Sequence, residues 1–429
     1  MKNQFSINCE WADTIGSPPE VAATSAFLEI KVGDNWATKC DSDFSGSVST
    51  RVLLSAYPLA MWLASSWWRL RWETSQLRPE PLIDWKMSHW LPAAGSGFIW
   101  PDLKFESDGE SIQVLMHPSG SAIFEPIRFL GRFSLWIKAS DFESAVNQFV
   151  DRVLTRLHER GLPHTQLRSL WDELAGELAD PEVAEFRRIE AILGYDPGEA
   201  DDGDVERFNS LRSSAGPAAA EEIAHASAGL QRPLPVEEWV RGIERVATKG
   251  CFDVSAQDLN LDSAFDRVQP WHKGYALASK LRLVLNGPAE PVSDKKLSKL
   301  LGMKVGDVRG GQVSDSSLPF GLALRALDGN GEARFFFRRP MHIGRRFEAA
   351  RMLADHLLAP SSDAWLPTTG TRTARQKAQR AFAAEFLCPN QDLREFMGND
   401  LSDDRIEDAA NHFLVSEDTV RHQVNNHWN

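Results

Sequence analysis

The side chains with most chemical potential lie between residues 342 and 412. His342, Glu348, Asp355, His356, Glu385 and His412 supply imidazoles and carboxylates, and Arg345, Arg346 and Arg351 run among them. Phe347, Ala350, Leu353, Ala354 and Leu357 recur at three- and four-residue spacing, which predicts a helix over 345–358. Side chains on a helix can share a metal ion where they stand on one face, four residues apart. Glu348 and Asp355 are roughly 10 Å apart along the axis, too far for one ion. Asp355 and His356 are adjacent and point about 100° apart. Arg351 and Asp355 are an opposite-charge pair at i, i+4, which would bridge such a space. Whether His342, Glu385 or His412 joins them depends on the fold. Elsewhere, His158 and His164 flank Gly161-Leu162-Pro163 with no cysteine or carboxylate cluster nearby, and read as bordering a turn. The chain carries no Gly-rich phosphate loop, no G-x-S-x-G and no Cys–His nucleophile signature.

The elements that must position these groups follow in order. Gly321–Leu327 and Ala333–Phe337 are predicted strands joined by the turn Asp328-Gly329-Asn330-Gly331. The 345–358 helix comes next, then a loop with Pro360, Pro367 and Gly370. A further helix over Ala374–Leu387 leads into Phe382-Ala383-Ala384-Glu385-Phe386-Leu387-Cys388-Pro389. Upstream, Gly274–Arg282 is an amphipathic helix stopped at Asn286-Gly287-Pro288, and Ser293-Asp294 caps a short helix closed by Gly302.

This succession resembles the ImmA/IrrE family of zinc peptidases. There a strand hairpin precedes a helix R-F-x-x-A-H-E-x-x-H, and a second helix ends F-A-A-E-x-L-x-P. The shared residues are Arg346, Phe347, Ala350 and Leu353, then Phe382-Ala383-Ala384-Glu385, Leu387 and Pro389. The resemblance covers about residues 270–427 and implies a zincin-like helical domain with a small β-hairpin or sheet. It also places the departures on the chemistry. The two zinc-histidine positions hold Arg351 and Asp355, the general-base position holds Met352, and the third-ligand position holds Gln376. Methionine cannot take a proton from water, and a permanently charged arginine repels a metal ion.

The resemblance therefore implies a pseudoenzyme with no catalytic residue, no zinc and no other cofactor. Its expected role is that of a non-catalytic regulator, or a phage-defence or mobile-element component, that binds a protein partner such as a helix-turn-helix repressor or a phage protein. The residues expected to bind are Arg345, Arg346, Arg351, Asp355, His356 and Glu385. Two alternatives stay open: a metallopeptidase with unusual ligands that cleaves a repressor, and a DNA-binding transcriptional regulator. The last draws on two features. Residues 406–424 have helix-turn-helix spacing, although the second helix opens with Glu417-Asp418, which would face phosphates badly. Arg334, Arg338, Arg339, Arg345, Arg346, Arg351, Arg372, Arg375, Lys377 and Arg380 form a basic stretch that reads first as a solvated face.

The formal net charge of −13 argues against a whole surface made for nucleic acid. Four cysteines without C-x-x-C spacing suit a reduced, cytoplasmic setting, and the N-terminus shows no secretory pattern. Val52–Trp68 is uncharged, but its serines and Pro58 favour a buried helix over a membrane span. At 429 residues several domains are expected. We read an α+β, multi-domain chain. A Trp-rich α+β domain occupies 1–140, a helical segment 141–195, an acidic Gly/Pro linker 196–217 and a helical domain 218–310. The peptidase-like domain with its terminal helix-turn-helix-like element fills 311–429.

Overall fold

Ala26, Leu28, Ile30 and Val32 alternate with more exposed neighbours, and this period of two makes Ser25–Val32 a strand. It pairs antiparallel with Phe5–Trp11, Asn35–Trp36 and Val52–Ser55. A computed structural model describes residues 4–16, 18–43, 46–75, 81–120, 126–228, 239, 242, 247–256, 259, 269–285, 291–310, 318–327 and 331–428. Among these the fold is mixed α+β with four sheets, and every ladder in them is antiparallel. No helix of the described residues is long and apolar enough to cross a membrane. None of the four cysteines is in a disulfide.

The chain forms two compact units, residues 1–201 with 228–230, and residues 202–227 with 231–429. In the first, Asp102–Ser107 and Ser111–His117 make a hairpin, with Phe133–Lys138 paired to the outer side of Ser111–His117. A third small sheet joins Ser47–Ser49, Cys40–Ser42 and Ile127–Phe129. The buried helix expected over Val52–Trp68 is broken. Val52–Ser55 is drawn into the sheet, and the Ser55 hydroxyl then caps Ala56–Ser65 by accepting from the Tyr57 amide. Ser66 separates that helix from Trp67–Trp72. Pairing with Ser25–Leu28 outweighs a helical preference that β-branched Val52 already weakens. Trp62, Trp67, Trp68 and Trp100 are buried in the core of this unit, and Trp11, Trp72 and Trp171 pack against it.

The expected helical segment 141–195 is part of that same unit. Phe142, Val146, Phe149, Val150, Val153 and Leu157 of the helix Ala139–Glu159 all enter the core. Thr165 caps Gln166–Ala179, and Asp180 caps Pro181–Leu193, which ends at Gly194 in the left-handed region. The segment 196–217 is not one continuous linker. Asp202–Ala215 is a helix that buries Phe208, Leu211 and Ala215, spaced at three and four, and it belongs to the second unit. Asp202 and Asp204 sit in its first turn, where the helix dipole favours them.

The second unit is built on one sheet, in the order Thr248–Cys251, Glu332–Phe336, Gly321–Arg325, Trp365–Thr368. The stretch 218–310 is thus neither all helical nor a separate domain, because Thr248–Cys251 is an edge strand of this sheet. Gly250 permits it, since a Cβ there would come within 2.3 Å of the Leu301 carbonyl oxygen. Ala323, Phe335 and Leu366 enter the main core on one face, while their alternating neighbours Leu322, Phe336 and Trp365 are buried as well. The turn residues 328–330 and the helix stop 286–288 lie outside the described residues. Pro270–Val284, His342–Leu358 and Ala374–Leu387 form the helical layer. Gly274 lets two of them cross closely, because a Cβ would lie 2.3 Å from the Ala378 carbonyl oxygen.

Candidate functional site

The helix His342–Leu358 buries Ala349, Ala350, Met352, Leu353, Ala354 and Leu357, and this apolar stripe fixes its rotation against the core. Met352 is wholly buried there. The same rotation turns Arg351 and Asp355 toward the helix Ala374–Leu387 and the strand Trp365–Thr368. Arg351 Nη2 donates to the Gln376 side-chain oxygen and, at 2.6 Å, to the Thr369 carbonyl. Gln376 in turn donates to the Pro367 carbonyl at 2.9 Å, which it shares with Gln379 at 3.1 Å. The residues at the expected first-histidine and third-ligand positions are therefore in direct contact.

Asp355 does not pair with Arg351 as the i, i+4 spacing suggested. Its two oxygens are held by Arg375, Nε at 2.8 Å and Nη2 at 2.7 Å, a bidentate arrangement supplied from the helix Ala374–Leu387. Arg375 also donates to Asp363 at 2.7 Å. Burial works against its charge, but Asp355 and Asp363 more than compensate, and its pKa is raised. Arg351 lacks such a carboxylate pair. Burial, reinforced by the charge of Arg380, pulls its pKa down to about 9.

A third group completes the cluster. Glu222, on the helix Pro217–Ser227, is 3% exposed. Its Oε1 accepts from the hydroxyls of Thr369, at 2.9 Å, and Thr371, and its Oε2 accepts from Thr373 at 2.7 Å. The Thr373 hydroxyl also accepts from the Gln376 amide and caps the helix Ala374–Leu387. Arg351, Arg375 and Arg380 all feel the Glu222 charge. Buried atoms without a partner gather in the same region: Arg351 Nε, Thr368 Oγ1, Gln379 Oε1 and Asp363 Oδ1.

The remaining expected binding residues go elsewhere. Arg346 is fully buried and donates to Asp294, to the Val292 carbonyl at 2.5 Å and to the Leu414 carbonyl at 3.2 Å. Burial tends to raise the Asp294 pKa, but hydrogen bonds from Arg309, His342 and Arg346 hold it at about 2. Arg345 donates to the Asp307 carbonyl at 2.6 Å and lies over the Phe337 ring. His356 stacks on Phe252 and meets the Val254 carbonyl at 3.1 Å, and burial and the Arg325 charge lower its pKa to about 4. Glu385 accepts from the Asn390 amide and from Gln423. His412 stacks on Phe396. These groups tie elements together and do not converge with Arg351 and Asp355.

The basic stretch is not one solvated face either. Arg345 and Arg346 are buried and Arg351, Arg375 and Arg380 half-buried, whereas Arg334, Arg338, Arg339 and Arg372 are exposed. At the C-terminus, Asp403–Phe413 and Glu417–His427 flank Leu414, a non-glycine residue at φ 54°. The second helix buries Thr419, Val420, Gln423 and Val424, and Gln423 donates to Glu385 and the Cys388 carbonyl.

A zinc ion does not fit the donor set at 351, 352, 355 and 376. One position is a cation, one a thioether and one an amide, and the remaining carboxylate is saturated by Arg375. Among the described residues, no three His, Cys, Asp or Glu side chains gather as metal ligands. Sequence reasoning missed Glu222, Asp363 and the threonines, and placed Arg375 on a solvated face. The spacing Thr369-x-Thr371-x-Thr373 was visible, but nothing local marked Glu222 within its alanine-rich run. No family model matches the chain, and no curated protein or solved structure matches it.

Proposed function

We propose that this protein is a non-catalytic relative of zinc peptidases that acts by binding a protein partner, in a regulatory, phage-defence or mobile-element setting. The observation that carries the reading is the direct bond between Arg351 and Gln376 beside the Asp355–Arg375 pair. Residues expected at three ligand positions lie together, and side-chain bonds join them or hold them in place of a metal. A helix-turn-helix repressor or a phage protein is the partner class that the resemblance implies, and a cytoplasmic setting suits four cysteines that form no disulfide.

Peptidase chemistry with unusual ligands loses support because Asp355, His356 and Glu385 are each engaged and apart. DNA binding loses support because the second tail helix presents exposed Glu417 and Asp418 at its start. The test is affinity capture with the full chain from host cells, repeated with chelator. Recovery of one protein, uncleaved and insensitive to chelator, is the expected result. Cleavage of the captured protein that stops with chelator would overturn it.

A further inference from the structure

The Glu222 carboxylate sits in a receptor made for it. Three hydroxyls from one short loop, Thr369, Thr371 and Thr373, converge on its two oxygens, and three arginines surround it in a chain of net charge −13. Fully buried Gln379 leaves its Oε1 without a partner in the same cluster, and Arg351 keeps Nε free. The cluster therefore has unused donor and acceptor capacity beside the carboxylate.

The helix that delivers Glu222 is lightly anchored by apolar contact. Of its buried residues Ala219, Ala220, Glu222, Ile223, Ala224 and Ser227, only Ile223 carries a large apolar side chain. Alanine and serine bury little area, so the polar contacts of Glu222 carry an unusual share of the docking. An element held this way opens locally before its unit unfolds.

We propose that the Thr369–Thr371–Thr373 loop with Arg351, Arg375 and Arg380 is a carboxylate-recognition site, filled in cis by Glu222 and in trans by an acidic segment of a protein partner. The inference rests on the binding reading above and names the chemistry of the partner. Opening of the helix Pro217–Ser227 exposes the hydroxyls and arginines together, and an incoming Asp or Glu replaces Glu222. A neutral segment could not, because it leaves the charges of Arg351 and Arg380 without the compensation that Glu222 gives them.

The test uses the full chain and its Glu222→Gln variant, with two labelled peptides covering residues 217–227, one native and one with Gln in place of Glu222. In the wild-type protein, amides of 217–227 are expected to exchange with solvent well before those of 374–387. Glu222→Gln should speed that exchange about tenfold. It should also bind the native peptide about tenfold more tightly than wild type does, with the Gln peptide bound far more weakly. Exchange of 217–227 in wild type only together with 374–387 would make the helix a fixed part of the unit and overturn the proposal, whether or not the variant folds. Equal binding of both peptides would overturn carboxylate recognition. Stoichiometric metal or peptide cleavage would instead sink the pseudo-peptidase reading, so the two failures are distinguishable.

Discussion

Both units bury an arginine among carboxylates, but they leave its partners in different surroundings. In the first unit Arg69 donates to Glu73 at 2.7 Å and Asp84 at 2.8 Å, with Asp196 at 3.4 Å. Only Glu73 is buried there, and the Asp84 and Asp196 side chains are 66% and 43% exposed. In the second unit, Asp355 and Asp363 around Arg375 are both shut away from water. A carboxylate in water survives the loss of its cation at little cost, whereas one buried in protein does not. The first centre can therefore adjust by taking up a proton, and the second must stay fully paired.

Protonation shows the same contrast. Burial raises the Glu73 pKa from 4.5 to about 7, against the lowering effect of Arg69, and Glu73 Oε1 has no partner. His89 stacks on Trp85 at 4.3 Å with Glu73 3.7 Å away, and burial lowers its pKa from 6.5 to about 3. Its two nitrogens face the carbonyls of Trp85 and Arg69, and a neutral ring donates to only one of them. Near neutral pH, the group of this centre that gains or loses a proton is thus Glu73.

The largest expected effect breaks the comparison at Arg375. Arg375→Ala strands two buried carboxylates and should cost roughly 3–5 kcal/mol in urea unfolding of the second unit. Arg69→Ala should cost less, about 2–3 kcal/mol, because two of its acids remain hydrated and Glu73 can protonate.

A pH series sharpens the contrast. The raised Glu73 pKa contributes stability that is full below 4.5 and lost as pH rises through about 7. The lowered His89 pKa contributes stability that is full above 6.5 and lost as pH falls toward about 3. Between 4.5 and 6.5 these slopes oppose each other. Glu73→Gln should uncover the His89 slope, about 1.4 kcal/mol lost per unit of falling pH. Unfolding midpoints across that range measure it, and a flat profile in the variant would contradict it.

The smallest change is Thr373→Ala. It removes a helix cap together with one Glu222 donor and should cost about 1–2 kcal/mol, read from the same unfolding curves.

What was legible in the sequence depended on range. Period and capping located the strands Gly321–Arg325 and Glu332–Phe336 and the helices Asp294–Leu300, His342–Leu358 and Ala374–Leu387, because those signals are local. The split at Ser55 and Ser66 was misread because strand pairing across more than twenty residues decided it. At the site, the substitutions at 351, 352, 355 and 376 could be read directly, but their replacements could not. Arg375 reaches Asp355 across 20 positions of chain, and Glu222 reaches Thr369 across 147. No local pattern announces partners at such separations.

Side chains and a metal ion are exclusive alternatives for holding the centre around Arg351. Metal content of the purified full chain, measured by mass spectrometry before and after chelation alongside partner capture, tests this most directly. Well under one zinc per chain, with capture unchanged by chelator, is the expected result. One zinc per chain, whose removal abolishes capture, would contradict it.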